Sequence, residues 1–133
     1  MDRRNYKRNE ELFLLVNEYE EMEKKGAVCF LEKMAFKQLL NFYEEENKVD
    51  RALEVVEHAL HQHGFSEDFF IRKAQLLLQK NMPNEALSCC EQASLFAPGE
   101  VEAHLLKVEA YVRLRLMENA WSCLETAREN SHT

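Results

Sequence analysis

The chain has 133 residues, a formal net charge of −7, and only three glycines and two prolines. This is the length of one domain, and so few turn residues exclude an all-β protein with its many tight corners. The acidic balance disfavours phosphate backbones, so no nucleic acid partner is expected. No apolar run has the length of a membrane span or a secretory signal, which predicts a cytoplasmic protein that does not bind membranes.

The first predicted element is an amphipathic helix within residues 1–32, in the stretch NEELFLLVNEYEEMEKKG. Asn9 is a candidate N-cap and Gly26 a candidate stop. The run AVCFL at 27–31 has no partner strand in the sequence, and we predict a buried connection there. The apolar residues of the helix recur with helical spacing and are Leu12, Leu15, Val16, Tyr19 and Met22.

A second helix pattern then returns three times at a fixed period of 34 residues. Such a period is typical of a helix–turn–helix repeat that stacks on its neighbours. Small residues at two equivalent positions let paired helices approach closely, and the positions beside them are predicted to be apolar core. The alanines are Ala52, Ala86 and Ala120, then Ala59, Ala93 and Ala127; the core residues are Leu53, Leu87, Trp121, Val56, Cys90 and Leu124.

Each of these helices follows a partner helix, in the stretches KMAFKQLLNFYEE, EDFFIRKAQLLLQK and VEAHLLKVEAYVRL. Between the two helices of a pair lie Asn47, Asn81 and Arg115. Asparagine tolerates the left-handed conformation that ends a helix, whereas arginine fits it less well. Gly64 and Pro98 are expected to stop the second helices.

In period and in its second helices, the chain resembles the tetratricopeptide repeat (TPR) family, and in particular the N-terminal part of a bacterial-type member. The resemblance implies an all-α, right-handed solenoid of stacked helix pairs. Three repeats are expected, at residues 33–66, 67–100 and 101–133. Because the end of a solenoid must hide its outermost apolar face, residues 1–32 are predicted to form an N-terminal capping helix and its connection.

The resemblance also implies that the first helices of the pairs line a concave groove. We therefore predict a protein-interaction scaffold that binds a peptide-like or helical segment there. The alternative is a structural or self-assembly segment of a longer repeat protein, which would use the ends of its solenoid instead. The candidate groove residues are Lys37, Gln38, Asn41, Arg72, Gln75, Glu109 and Arg113, with the aliphatic Ile71, Leu78, Leu105 and Leu106 among them.

Chaperone-binding members of the family clamp a C-terminal carboxylate, and the sequence matches that clamp only in part. Lys37 and Asn41 occupy the first two places, but the remaining places hold Arg72, Glu102 and Leu106. A carboxylate ligand would lose charge-assisted hydrogen bonds there and would meet repulsion from Glu102. We therefore expect a different peptide class.

Catalytic and cofactor signals are missing from the sequence. It contains no glycine-rich phosphate loop, no G-x-S-x-G and no H-E-x-x-H, so neither an enzyme nor a cofactor is predicted. The histidines at 58, 61 and 63 have no nearby cysteine to complete a zinc site, and no metal is expected. The four cysteines show no CxxC pair and are predicted to be reduced thiols.

The last predicted helix is expected to expose an apolar strip made of Met117, Leu124 and Ala127. Further repeats in a longer protein could cover such a strip, and so could a second copy in a two-fold dimer. We therefore hypothesise that the chain forms a homodimer through this C-terminal helix.

Overall fold

A computed structural model describes the backbone of residues 3–131 and the side chains of residues 8–130. This part of the chain contains seven helices and no strand. The chain divides into two compact units, and the boundary lies between residues 63 and 64. The helices are α1 (Arg3–Lys24), α2 (Lys33–Glu45) and α3 (Val49–Gln62) in the first unit, then α4 (Glu67–Gln79), α5 (Pro83–Phe96), α6 (Val101–Arg113) and α7 (Met117–Ser131) in the second.

The first unit packs its three helices around an aromatic and aliphatic core. Tyr19 of α1 and Tyr43 of α2 are both buried, with ring centroids 6.5 Å apart. Ala52 of α3 is fully buried, as the small residue at a close helix contact should be. The other buried side chains are Val16, Phe36, Leu39, Leu40, Val55, Val56 and Ala59.

The second unit packs two helix pairs, α4 with α5 and α6 with α7. Ile71 of α4, Ala93 of α5 and Ala103 of α6 form one buried cluster, flanked by Phe70 and Leu106. Since these residues come from three successive helices, α4, α5 and α6 share one core. Proline at 83 begins α5, where its missing N–H costs no hydrogen bond.

The first helix of every pair ends in the same way, as the sequence predicts. Asn47, Asn81 and Arg115 have φ values of 57°, 59° and 61°. At each place the next amide reaches back five residues, as from Lys48 N to the Tyr43 carbonyl at 2.8 Å. This is the Schellman end. Gly26, with φ of 78°, ends α1 in the same manner.

Two expectations for the N-terminal region are wrong. Helix α1 already begins at Arg3, so Asn9 lies inside the helix and is not its N-cap. The 27–31 connection is mostly exposed rather than buried, and Phe30 is 70% exposed. The side-chain amide of Gln62 holds it in place instead: its Oε1 accepts from Leu31 N at 2.8 Å, and its Nε2 donates to the Cys29 carbonyl at 3.0 Å.

Three expectations for α7 also need correction. Trp121 was predicted as core but is 64% exposed, while Ala127 was predicted in the exposed strip but is 2% exposed. Leu124 was predicted both as core and in the exposed strip, and at 39% it is exposed, as is Met117 at 58%. On α5, which packs against α6, the equivalent positions are more covered, with Cys90 buried and Leu87 half-buried, whereas no helix within residues 3–131 follows α7. Ala127 is buried like Ala59 and Ala93, which hold the equivalent positions in the two preceding repeats.

None of the helices between residues 3 and 131 is long and apolar enough to cross a membrane.

Candidate functional site

A polar pocket of about 450 Å³ lies between α1 and α2 in the first unit. Its volume is in the ~300–1,000 Å³ range of ligand sites. The lining residues are Arg8, Asn9, Glu11 and Leu12 of α1 and Gln38, Asn41, Phe42 and Glu45 of α2. Two of the predicted groove residues, Gln38 and Asn41, therefore line one pocket.

Helical spacing explains why these side chains converge. Gln38, Asn41 and Glu45 are three and four positions apart, which places them on one face of α2. Phe42 meets Phe13 of α1 edge to face, with ring centroids 6.3 Å apart. This aromatic pair fixes the spacing of the two helices beside the pocket, and the buried Val16 and Tyr19 anchor α1 further along.

The lining is suited to a ligand that carries both polar and apolar groups. Asn9, Gln38 and Asn41 are exposed amides, a type of side chain that carries two N–H donors and a carbonyl acceptor. These are the partners that the backbone of a peptide requires. Leu12 and Phe42 add apolar surface beside them. Two carboxylates and one guanidinium complete the lining, so the pocket has a small excess of negative charge.

In the second unit, the polar groups on α4 and α6 pair with one another. Gln75 Nε2 of α4 donates to Glu102 Oε1 of α6 at 2.5 Å. Arg113 of α6 donates to the Leu78 carbonyl of α4 and, at 2.8 Å, to Glu109 on its own helix. Arg113 therefore helps to hold α4 and α6 together.

The remaining predicted groove residues differ in their exposure. Lys37 and Arg72 are half-buried. Ile71 and Leu78 were predicted to face the groove, but they are only 5% and 3% exposed. Both belong to the core because α5 and α6 pack on α4 from either side. Leu105 remains 48% exposed.

Sequence reasoning missed the four α1 residues of the pocket. The apolar stripe of the sequence predicts α1 as a helix. It does not indicate which surface of α2 the polar residues of α1 approach. Their spacing along the helix could have indicated them. Arg8 and Asn9 lie one turn before Leu12, which belongs to the apolar stripe of the same helix.

Within the part of the chain that the structure describes, the histidine and cysteine side chains do not form a cluster of metal ligands. His58 lies against Tyr19, with ring centroids 6.0 Å apart, whereas His63 Nε2 lies 2.8 Å from the Leu31 carbonyl. No group of three or more His, Cys, Asp or Glu side chains there is placed to hold a metal ion. Burial raises the pKa of the Cys90 thiol to about 12, so this cysteine is a packing residue.

Solved structures of TPR domains share the fold. The first TPR of Spaghetti (RPAP3), bound to the HSP90 peptide SRMEEVD, matches with a TM-score of 0.70 and 18% identity over 73% of this chain and 77% of that chain. The second TPR domain of human RPAP3, in complex with the HSP70 peptide SGPTIEEVD, matches with 0.68 and 23% over 71% and 79%. The TPR2B domain of yeast Sti1, in a complex with Hsp70, matches with 0.69 and 18% over 71% and 76%.

These neighbours confirm the all-α TPR solenoid class that the sequence predicts. At such low identity they establish the fold alone. Among curated protein sequences none matches significantly. A family model does match: ChAPs, the Chs5p-Arf1p-binding proteins, aligns with residues 22–132. Because this match covers most of the chain, the chain belongs to the ChAPs family of TPR-like proteins.

Proposed function

We propose that the chain is a protein-interaction scaffold whose first unit binds an extended peptide segment between α1 and α2. The observation that carries the proposal is the pocket itself, which is lined by three exposed amides together with the apolar Leu12 and Phe42. Amides can bind a peptide backbone of any sequence, while the apolar surface receives a side chain. The proposed role is non-catalytic and cytoplasmic.

The second unit would contribute less to peptide binding. Gln75 and Arg113 already hydrogen-bond to neighbouring groups, and a ligand would have to replace those bonds. Within the second unit, Arg72 and Glu109 are proposed only as secondary contacts, and Glu109 too would have to exchange its bond to Arg113. We place most of the binding free energy on the pocket of the first unit, where the exposed Gln38 and Asn41 belong to the lining.

The charge of the site favours a neutral or basic peptide over an acidic one. Glu11 and Glu45 outnumber Arg8 in the pocket, and like charges brought together without compensation oppose binding. The RPAP3 neighbours were solved with peptides that end in EEVD. In this chain Glu102 stands at a place where the carboxylate clamp needs a cation, so we do not extend the EEVD preference to it.

The family description names Chs5p and Arf1p as the proteins that its members bind. It supports a protein partner for this chain as well. The segment that the proposed pocket would take is a short stretch of such a protein that is extended and lacks negative charge.

A peptide library displayed on phage would test the proposal. Binding of the selected peptides is then measured by calorimetry for the wild type and for the double variant Gln38→Ala/Asn41→Ala. Removing two amide partners should weaken binding by about tenfold or more. Asn17→Ala/Gln92→Ala, which truncates two exposed amides outside the pocket, is the matched control and should bind like the wild type.

Two results would contradict the proposal. One is equal affinity of the pocket variant and the control, since the peptide would then bind elsewhere. The other is an SRMEEVD peptide that binds as tightly as the selected neutral or basic peptides, which would mean that the pocket does not discriminate by charge.

A further inference from the structure

The exposed face of α7 carries a stripe of four residues: Met117, Trp121, Leu124 and Arg128. The three apolar members are 58%, 64% and 39% exposed, and Arg128 is exposed as well. The residues follow one another at intervals of four, three and four, which keeps them on one side of the helix. Beside the stripe, α6 contributes Val101 and Leu105 to an apolar pocket of about 330 Å³.

This stripe is symmetric in its spacing. Intervals of four, three and four read the same from either end of the helix. When two copies of α7 run antiparallel, each stripe position therefore meets a stripe position of the other copy. Trp121 lies opposite Leu124, and Met117 lies opposite Arg128. A surface of this kind is self-complementary under two-fold rotation, which is what an isologous dimer requires.

Two of the charges beside the stripe are complementary in the same arrangement, while the carboxylate of Glu125 also lines the pocket. Glu118 is exposed at the beginning of α7 and Arg128 near its end. Antiparallel pairing brings the Arg128 guanidinium of one copy next to the Glu118 carboxylate of the other, and it does so twice. Parallel pairing would place equal charges together and is disfavoured.

We propose that the chain forms a two-fold homodimer in which the α7 helices pair antiparallel, with the indole of Trp121 packed on Leu124 of the partner copy. The pocket beside α6 widens the apolar surface on which the partner helix rests. The stripe runs over about 16 Å of helix. Such an interface is smaller than the ~800 Å² per partner of a stable complex, so the dimer is a reversible one in the micromolar range or weaker.

Sedimentation across about 1 μM to about 500 μM measures the association. The chain has a single tryptophan, so the fluorescence of Trp121 reports on the same interface, and its emission should shift to the blue as the dimer forms. Leu124→Glu should weaken association at least about tenfold. Leu95→Glu is the control, because Leu95 is 72% exposed on α5, away from the stripe.

Charge exchange tests the antiparallel register. Glu118→Arg alone and Arg128→Glu alone each place like charges together twice, and each should weaken the dimer about fivefold or more. The double variant Glu118→Arg/Arg128→Glu restores opposite charges and should dimerise like the wild type. An equimolar mixture of the two single variants should form a heterodimer, since both of its ion pairs are again favourable.

The rescue cannot come from within one chain, because Glu118 and Arg128 lie ten residues apart on one helix, about 15 Å along its axis.

A wild type that stays monomeric at every concentration overturns the proposal and leaves the stripe to another partner. A dimer that Leu124→Glu does not weaken overturns it too. Single variants that are weakened but not rescued in the double variant or in the mixture overturn the antiparallel arrangement.

Discussion

Arg51 of α3 lies 3.0 Å from Glu23 of α1, measured from Nη2 to Oε1, and joins the N-terminal helix to the first helix pair. The same guanidinium lies 3.0 Å from Glu54 and 3.6 Å from Glu20, and it sits 5.3 Å from the centre of the Tyr43 ring. Burial raises the pKa of the Glu23 carboxyl, although Arg51 acts to lower it. One cation is therefore shared by three carboxylates at the junction of α1, α2 and α3.

Replacing Arg51 should destabilise the first unit. Arg51→Met leaves the half-buried Glu23 without its cation, and we expect the free energy of unfolding to fall by about 1–2 kcal/mol. The estimate is below that for a buried pair because 36% of the Arg51 side chain remains exposed and solvent screens it. Urea unfolding followed by circular dichroism measures the effect. Lys33→Met, at an exposed position, is the control, and equal midpoints for the two variants would disprove the role of Arg51.

Overpacking at Ala86 should destabilise the second unit. Ala86 is fully buried in α5, as the sequence predicts. Ala86→Leu inserts three carbon atoms into this contact and should cost about 1–3 kcal/mol. Ser88→Leu adds the same side chain at an exposed position of the same helix and should leave thermal unfolding nearly unchanged. If both variants melt like the wild type, Ala86 is not at a close helix contact.

Glycine at position 115 should stabilise the chain. Arg115 has a φ of 61°, a left-handed conformation that costs a residue with a Cβ roughly 1 kcal/mol. Arg115→Gly removes that strain and should raise the free energy of unfolding by about 0.5–1 kcal/mol, less the greater entropy of an unfolded glycine. Arg115→Ala keeps the Cβ and loses the charge, so it is the matched comparison. Equal stability of the two variants would show that the backbone strain is unimportant.

Alkaline pH should destabilise the first unit through its buried tyrosines. Burial raises the pKa of Tyr43 to about 12 and raises that of Tyr19 as well. In the unfolded chain both phenols ionise near pH 10. Their contribution to stability is therefore complete below about pH 10 and is lost as the pH rises towards the folded-state values.

Urea midpoints at about pH 8 and about pH 11 measure this loss, because the two values lie on either side of the ordinary phenol pKa. In Tyr19→Phe/Tyr43→Phe neither position can ionise, so the variant should lose less stability between the two values than the wild type does. An equal loss in both proteins would assign the alkaline effect to other groups.

Local rules predicted much of the fold. The first helix of the first pair begins and ends where its sequence pattern does, at Lys33 and Glu45. The left-handed ends at Asn47 and Asn81 follow from the residue type and the period, and the one at Arg115 follows from the period although arginine fits it less well. Burial depends on the neighbour that a face meets, which is why Trp121 is exposed although its repeat position is apolar. Ala127 is buried like Ala59 and Ala93 at the equivalent positions, so its assignment to the exposed strip was wrong. The division into three repeats at 33–66, 67–100 and 101–133 stays a prediction.

The candidate site was less predictable. Helical spacing put Gln38 and Asn41 on one face of α2, but the opposite wall of their pocket comes from α1. No local pattern in residues 8–12 indicates which helix they approach, since that depends on how α1 packs. For the same reason the sequence could not show that Gln75 pairs with Glu102 and Arg113 with the Leu78 carbonyl.

Side-chain amide signals in NMR spectra test the central claim most directly. A peptide selected from the library is titrated into the isotopically labelled chain, and the amide resonances of Asn9, Gln38 and Asn41 are followed. Those three should shift together and saturate with one affinity, whereas Asn17 and Gln92 should stay in place. If the shifts instead concentrate on α7, around Trp121 and Leu124, or if the three pocket amides do not move, the pocket between α1 and α2 is not the peptide site.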